Sequence, residues 1–184
     1  MKNMNKRKAS EGSITLEAAI MVPLFIILML LVNGLFVMFM GQQVMAHNLV
    51  QCAKSLAFDP YASQRVSADT ADYLSDMFVD LFTFGQGDYV STEKWYEDAD
   101  SLDGVIKEKF IAYLKNSKGD AEKLLETIGV ENGTEGLDFS GSKLEDGVLT
   151  VNLKYTQEYI FNVAGLASFD REITVKVKLF NYIG

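Results

Sequence analysis

The sequence predicts an α+β protein: a long N-terminal transmembrane and spine helix, further helices, then a C-terminal antiparallel β-sheet. Three observations carry this. Residues 18–40 hold no charge in 23 positions, and Asn33 is the only strongly polar one. Apolar residues then recur every three or four positions as far as Ile128, which is helical spacing. From Leu149 onward apolar and polar residues alternate, the period of a strand with one buried face.

The uncharged run comes first. At about 1.5 Å per residue it spans roughly 34 Å, enough for a bilayer core of about 30 Å. It is longer than the roughly 7–15 residues of a secretory signal core. Lys2, Lys6, Arg7 and Lys8 precede it. A short basic flank predicts a cytoplasmic N-terminus, with everything after Met40 outside. Residues 1–17 hold 4 of the 17 basic residues and 2 of the 25 acids, leaving 13 against 23, a net of −10, for residues 18–184. That acidity argues against nucleic acid or anionic lipid as partners of the exported part. Pro23 removes one helix hydrogen bond and predicts a kink or loosened turn near residues 19–23. Gly34 and Gly41 offer close-packing faces, but seven residues apart they do not make a G-x-x-x-G dimer pattern.

Glu17 stands near the front of the run. A carboxylate at the edge of a spanning helix costs on the order of 3 kcal/mol unless a partner neutralises it. A plain anchor gains nothing from such a residue. The order of features, a basic leader, Gly12-Ser13, Glu17 as the fifth residue after the glycine, then an apolar helix, resembles a type IV prepilin signal. The string TLEAAIMVPLFIIL, with Pro23 shortly after the acid, is similar to the TadE-like pilin-related proteins of tight-adherence (Flp-type) pilus systems. The resemblance covers roughly residues 6–40.

The resemblance implies cleavage by a prepilin peptidase after Gly12, so that Ser13 becomes the new N-terminus and the apolar helix is retained. It makes Glu17 the acid at the fifth mature position. In an assembly of such subunits, the new amine and a neighbour's Glu17 neutralise each other in an apolar bundle and fix register, the best-attested use of a buried charge pair. The implied partners are the peptidase, other pilin-like subunits through the apolar helix, and an inner-membrane assembly platform. Two departures stand out. Many type IV pilins begin their mature chain with an N-methylated aromatic residue, where this chain has Ser13. Major Flp-type pilins are very short with a tyrosine after the acid, whereas here Ala18 follows Glu17 and 172 residues follow Gly12. An accessory, pseudopilin-like subunit fits better than a main fibre subunit.

The domain division follows: 1–12 a basic leader, 13–41 a transmembrane helix, and 42–184 an extracytoplasmic α+β domain that includes the spine continuation. Met45, Leu49, Cys52 and Leu56 continue the helix with one apolar stripe, and His47, Gln51, Lys54 and Ser55 fall on the other face. Asp59-Pro60 stops it, because a residue before proline is driven from the α region. A helix from Ser13 to Phe58 would be roughly 69 Å long. A second helix is expected over residues 63–84, capped by Ser67 and broken at Gly85–Asp88. A third covers 103–129, with Ile106, Phe110, Tyr113, Leu114, Leu124, Leu125 and Ile128 inward, Gly119 dividing it and Gly129 capping it. Residues 131–136 are a turn-rich connector. Leu149, Val151, Leu153 and Tyr155 alternate with polar residues, as do Ile173, Val175, Val177 and Leu179. Asp146-Gly147 signals a hairpin and implies an earlier strand near 138–145. Three or four antiparallel strands should cover the outer half of the first helix. A head of about 125 residues is large enough to bury its own core.

The inventory of reactive side chains is thin. One histidine and one cysteine cannot make a zinc site, which needs three or four good ligands. His47 reads as solvated and Cys52 as a small buried hydrophobe, with a bridge between subunits as its other use. Asp98, Asp100 and Asp103 suggest a calcium loop, but the glycine and final glutamate of an EF-hand are missing. No phosphate loop, nucleophile elbow or His-based triad is present. The aromatics of residues 73–96 read as core. The expectation is therefore a pilin-like or pseudopilin subunit without catalytic residues, metal or cofactor. It would sit in the cell membrane as a single-pass protein or in a pilus fibre. The rivals are an uncleaved single-pass anchor carrying an adhesion or sensor domain, a secreted protein cut near Val44-Met45-Ala46, and a membrane-anchored enzyme.

Overall fold

The structure is a computed structural model that describes residues 2–65, 95, 102–159 and 168–180; the side chains of 2–15, 61–65 and 116–118 are not described. Two compact units divide the chain, Met1–Val37 and Met38–Gly184. A single helix, α1 (Lys2–Arg65), accounts for the described part of the first and opens the second. It passes Pro23 without a break in the helix. The expected helix over residues 63–84 and its stop at Gly85–Asp88 lie outside the described residues, apart from the last residues of α1.

Both ends of α1 lie beyond the expected ones. The leader is helical from Lys2, since nothing in it but Gly12 opposes a helix, at about 1 kcal/mol. At the other end, Asp59-Pro60 does not stop the helix. A proline inside a helix costs about 3 kcal/mol, and packing around the last turns offsets it. Leu56 and Ala57 are buried, Asp59 is held in a buried ion pair, and the Ala57 carbonyl accepts a hydrogen bond from the Phe180 N–H at 3.0 Å.

The middle of the chain folds as two helices, α2 (Leu102–Lys118) and α3 (Ala121–Thr127). Gly119 divides them at a φ of +87°, a conformation glycine adopts without strain. Asp120 caps α3, its carboxylate accepting from the Glu122 N–H at 3.1 Å. Gly129, at φ +76°, ends α3 as expected, with the Val130 N–H bonded back to the Leu125 carbonyl at 2.8 Å. A Cβ there would lie 2.4 Å from the Glu158 carbonyl, so glycine also lets the two backbones meet.

The sheet has three antiparallel strands in the order β1 (Lys143–Glu145), β2 (Val148–Glu158), β3 (Ser168–Lys178). Asp146 and Gly147 both take positive φ, 50° and 70°, the requirement of the tightest hairpin turn. The expected strand over 138–145 is shorter. Only Lys143–Glu145 pair continuously, and Asp138 meets Lys154 as an isolated bridge. Beyond β1, the edge of β2 is paired instead with Gly129, Glu131 and Asp138.

One core joins all these elements. α1 gives it Met45, Leu49, Cys52 and Leu56; α2 gives Ile106, Phe110 and Leu114; α3 gives Leu125; β2 gives Leu149, Val151, Leu153 and Tyr155. Ser55, expected on the wet face of α1, is buried, as are Asn48, Ala53 and Ala57. The head wraps more of the helix than a single stripe, and Ser55 meets the Tyr113 hydroxyl. The alternation in β3 buries less than in β2, because β3 is an edge strand: Ile173, Val175 and Val177 are only partly covered.

Candidate functional site

The first unit presents one feature, an apolar helical surface. From Leu16 to Leu35 its large apolar side chains are all exposed, between 44% and 66%. The helix is long and apolar enough to cross a membrane. Such a surface in water would cost roughly 25 cal/mol for every Å². Glu17 stands exposed at the front of this surface beside Leu16. Gly12 and Ser13 lie upstream of it within the helical backbone of α1, and Pro23 lies six residues beyond it.

The second unit grips the continuation of the same helix in three places. At its start stands Gln157, which is fully buried. Its Nε2 donates to the carbonyls of Met38 at 3.2 Å and Ile128 at 2.9 Å. Gly41 makes room for it, since a Cβ there would come within 2.9 Å of both Gln157 Nε2 and Ile128 Cβ. One turn along, the Gln42 carboxamide faces the Arg171 guanidinium; the guanidinium has only donors, so the amide orientation that satisfies both groups puts the oxygen toward it, accepting at 2.9 Å from Nη2 and 3.0 Å from Nε. At the far end, Asp59 Oδ2 accepts from Lys109 Nζ at 2.8 Å and from Trp95 Nε1 at 3.0 Å, with both charged side chains almost wholly buried. Phe58 and Phe180 stack edge-to-face beside it, centroids 6.0 Å apart.

These contacts also place the sheet. β3 meets α1 at Gln42 through Arg171, and Phe180, two residues past the strand's end, meets it at Ala57, so the strand runs alongside residues 42–57 of the helix. The expected cover of the outer helix by the sheet is present. Burial pushes the Tyr113 phenol upward, against the pull of its hydrogen bond from Ser55. It pushes the Tyr155 phenol upward too, with the Arg171 guanidinium opposing.

Of the residues read from sequence, His47 is exposed and takes the Gln51 side-chain amide at 3.0 Å. Cys52 is fully buried, its thiol 3.9 Å from the Ile106 carbonyl, which leaves it no surface for a bridge between subunits. Asp103 lies in the first turn of α2, while Asp98 and Asp100 lie outside the described residues. Trp95 is core, as expected; the other aromatics of 73–96 fall outside the description. Among the described residues no three His, Cys, Asp or Glu side chains stand close enough to share a metal ion. A shallow groove of about 460 Å³ on the outer face of the sheet collects Asp138, Asp170 and Glu172. Each already has a donor: Ser140 N–H for Asp138, Thr156 Oγ1 for Asp170, Asn152 Nδ2 for Glu172. The Ser140 bonds hold the Asp138 carboxyl below its usual range.

Three residues of this arrangement went unread in the sequence. Asp59 follows Leu56 by three and Lys109 follows Ile106 by three, so opposite charges sit on two apolar stripes. Gln157 continues the inward parity of Val151, Leu153 and Tyr155. Each broke a pattern at an inward position. No family model, no curated protein and no solved structure matches the chain.

Proposed function

We propose that this chain is a pilin-like or pseudopilin subunit, cut after Gly12 by a prepilin peptidase and acting in assembly of a tight-adherence-type pilus or a related secretion system. The observation that carries the reading is the front of the helix: a basic leader, Gly12-Ser13, and Glu17 at the edge of an apolar surface that is exposed from Leu16 to Leu35. An acid held there is a cost in a lone chain, and a neighbouring subunit's new amine removes it. The apolar helix rests in lipid and moves to a helical bundle on assembly. Its partners are then other pilin-like subunits and an inner-membrane platform, and the protein itself performs no chemistry.

The test is mass spectrometry of the N-terminal peptide from membrane-extracted protein, with and without the peptidase. A chain beginning at Ser13, methylated or not, is the expected result. An intact Met1 sinks the reading. The second reading, an uncleaved single-pass anchor with an adhesion or sensor head, has one observation in its favour. α1 runs unbroken through Gly12-Ser13, so the backbone at the cut is engaged in helix hydrogen bonds. That reading expects Met1 to be retained and Glu17→Ala to change nothing.

A further inference from the structure

We propose that the end of the head at which α1 enters it is a collar that rests on the surface of a phospholipid bilayer, formed by Phe39, Met40, Phe169 and Arg171. The inference rests on the membrane-spanning reading of α1 and adds a second point of contact to it.

The register of the sheet places these residues. The helix-facing side of β3, continued by Leu179 just past its end, reads Leu179, Val177, Val175, Ile173, Arg171, Phe169. Its positions from Leu179 to Ile173 pack against the core. Arg171 reaches Gln42 of α1, and Phe169, one step further, is left 45% exposed. Phe169 pairs across the sheet with Gln157, whose amide is bonded to the Met38 carbonyl. Phe169 therefore lies level with the first residues of α1 inside the head. On the helix itself Phe39 and Met40 are exposed at that level, while one turn later Gln43 and then His47 take over the exposed positions. The change from apolar to polar on the helix thus falls at the same height as the uncovered aromatic of the sheet.

The chemistry matches a bilayer interface. A run of 23 uncharged residues, roughly 34 Å long, slightly exceeds a hydrocarbon core of about 30 Å, so its last turn falls at the headgroup boundary. Aromatic side chains concentrate at that depth. The Arg171 guanidinium lies 5.5 Å from the Phe169 ring centroid, an apolar body with a charged tip within reach of phosphate oxygens. From Tyr159 through Ser168 the sequence joining β2 to β3 carries no charge. Among the described residues, the carboxylates that flank the patch in sequence, Glu158 and Asp170, belong to the opposite, outer face of the sheet, where Thr156 already donates to Asp170. The acidic balance of the exported part, −10, keeps the rest of the head off an anionic surface and confines contact to the collar. A zwitterionic bilayer is therefore the occupant to test.

The full chain is reconstituted in phosphatidylcholine vesicles with a nitroxide at one of three positions, from Phe36→Cys, Phe169→Cys or Lys178→Cys. Fully buried Cys52 stays unlabelled. Accessibility is read to oxygen, which concentrates in hydrocarbon, and to a water-soluble nickel chelate. Lys178 lies nine residues along β3 from Phe169, roughly 30 Å away, and serves as the aqueous reference. The expected result is Phe36 reached by oxygen alone, Lys178 reached by nickel, and Phe169 several-fold less accessible to nickel than Lys178 while still reached by oxygen. Phe36 in lipid with Phe169 as nickel-accessible as Lys178 overturns the collar and leaves the spanning helix standing. Phe169 shielded from both reagents overturns it as well, since a second protein copy then covers the patch. Phe36 open to nickel removes the spanning reading and the collar together. Should the label at Phe169 disturb folding, Ser168→Cys, exposed and adjacent, gives the same comparison.

Discussion

Leu28 and Leu49 belong to one unbroken helix, yet the first is half-exposed and the second has no exposed surface. Along α1, residues 18–37 carry no charge while residues 38–65 carry Lys54, Asp59 and Arg65, and the two stretches also differ in what surrounds them. Over residues 18–37 the apolar surface goes all the way round the helix, with no charged face to set against it. A helix apolar on every side belongs in lipid or in the middle of a bundle. In the second unit polar residues return on one side at Gln43, His47 and Lys54, and the opposite side gathers a core. Apolar content alone does not say which side of a helix is covered. The angular distribution of the polar residues does.

That contrast can be broken from the head side most severely at the buried ion pair. Lys109→Met leaves the Asp59 carboxylate buried beside Trp95 without its cation, and unfolding by denaturant should show a loss of about 3–5 kcal/mol. The paired leucines sharpen the contrast directly. Leu49→Ala should cost the head about 2–5 kcal/mol, whereas Leu28→Ala should change it by no more than about 0.5 kcal/mol, both read as denaturation midpoints of the head in the same detergent. Equal effects at the two positions would mean that the first unit has tertiary cover after all. Gly41→Leu tests where the grip begins: it must displace both Gln157 and Ile128, and a loss of about 1–3 kcal/mol is expected.

Smaller effects belong to the two buried tyrosines. Burial raises both phenols above their ordinary value of 10.0. The unfolded chain therefore gives up these protons first. The stability they support is whole below pH 10 and is lost as pH rises through the folded values. An alkaline melting series should show that decline, and Tyr113→Phe should flatten it. Tyr155→Phe should do the same at the smallest cost of all. The Tyr155 hydroxyl is buried without a hydrogen-bond partner among the described residues, so its removal should leave the neutral-pH melting point unchanged or slightly raised.

Much of the fold was legible in the sequence because local rules dominated it. The apolar stripe of Met45, Leu49, Cys52 and Leu56, the break at Gly119, the cap at Gly129 and the Asp146-Gly147 turn each rest on interactions within a few residues. Pro60 was misread for the complementary reason. Its local cost is real, but Asp59, Ala57 and Phe58 are held by residues 36 to 123 positions away, and their contacts outweigh it. The front of the helix, Gly12 to Glu17, was readable only as a pattern of residue types.

The sequence by itself determined the apolar run, its basic flank and its lone acid, the alternation of the strands, and the acidic character of residues 18–184. Those follow from composition and period, which need no partner to be read. Only the tertiary structure decided that two opposite charges on separate stripes, Asp59 and Lys109, would meet, and that Gln157 would fill the space a glycine leaves at residue 41. It also left Phe169 bare at the height where the helix changes from apolar to polar. Contacts between distant residues depend on how long elements stack, and a one-dimensional pattern specifies each face without specifying what will lie against it.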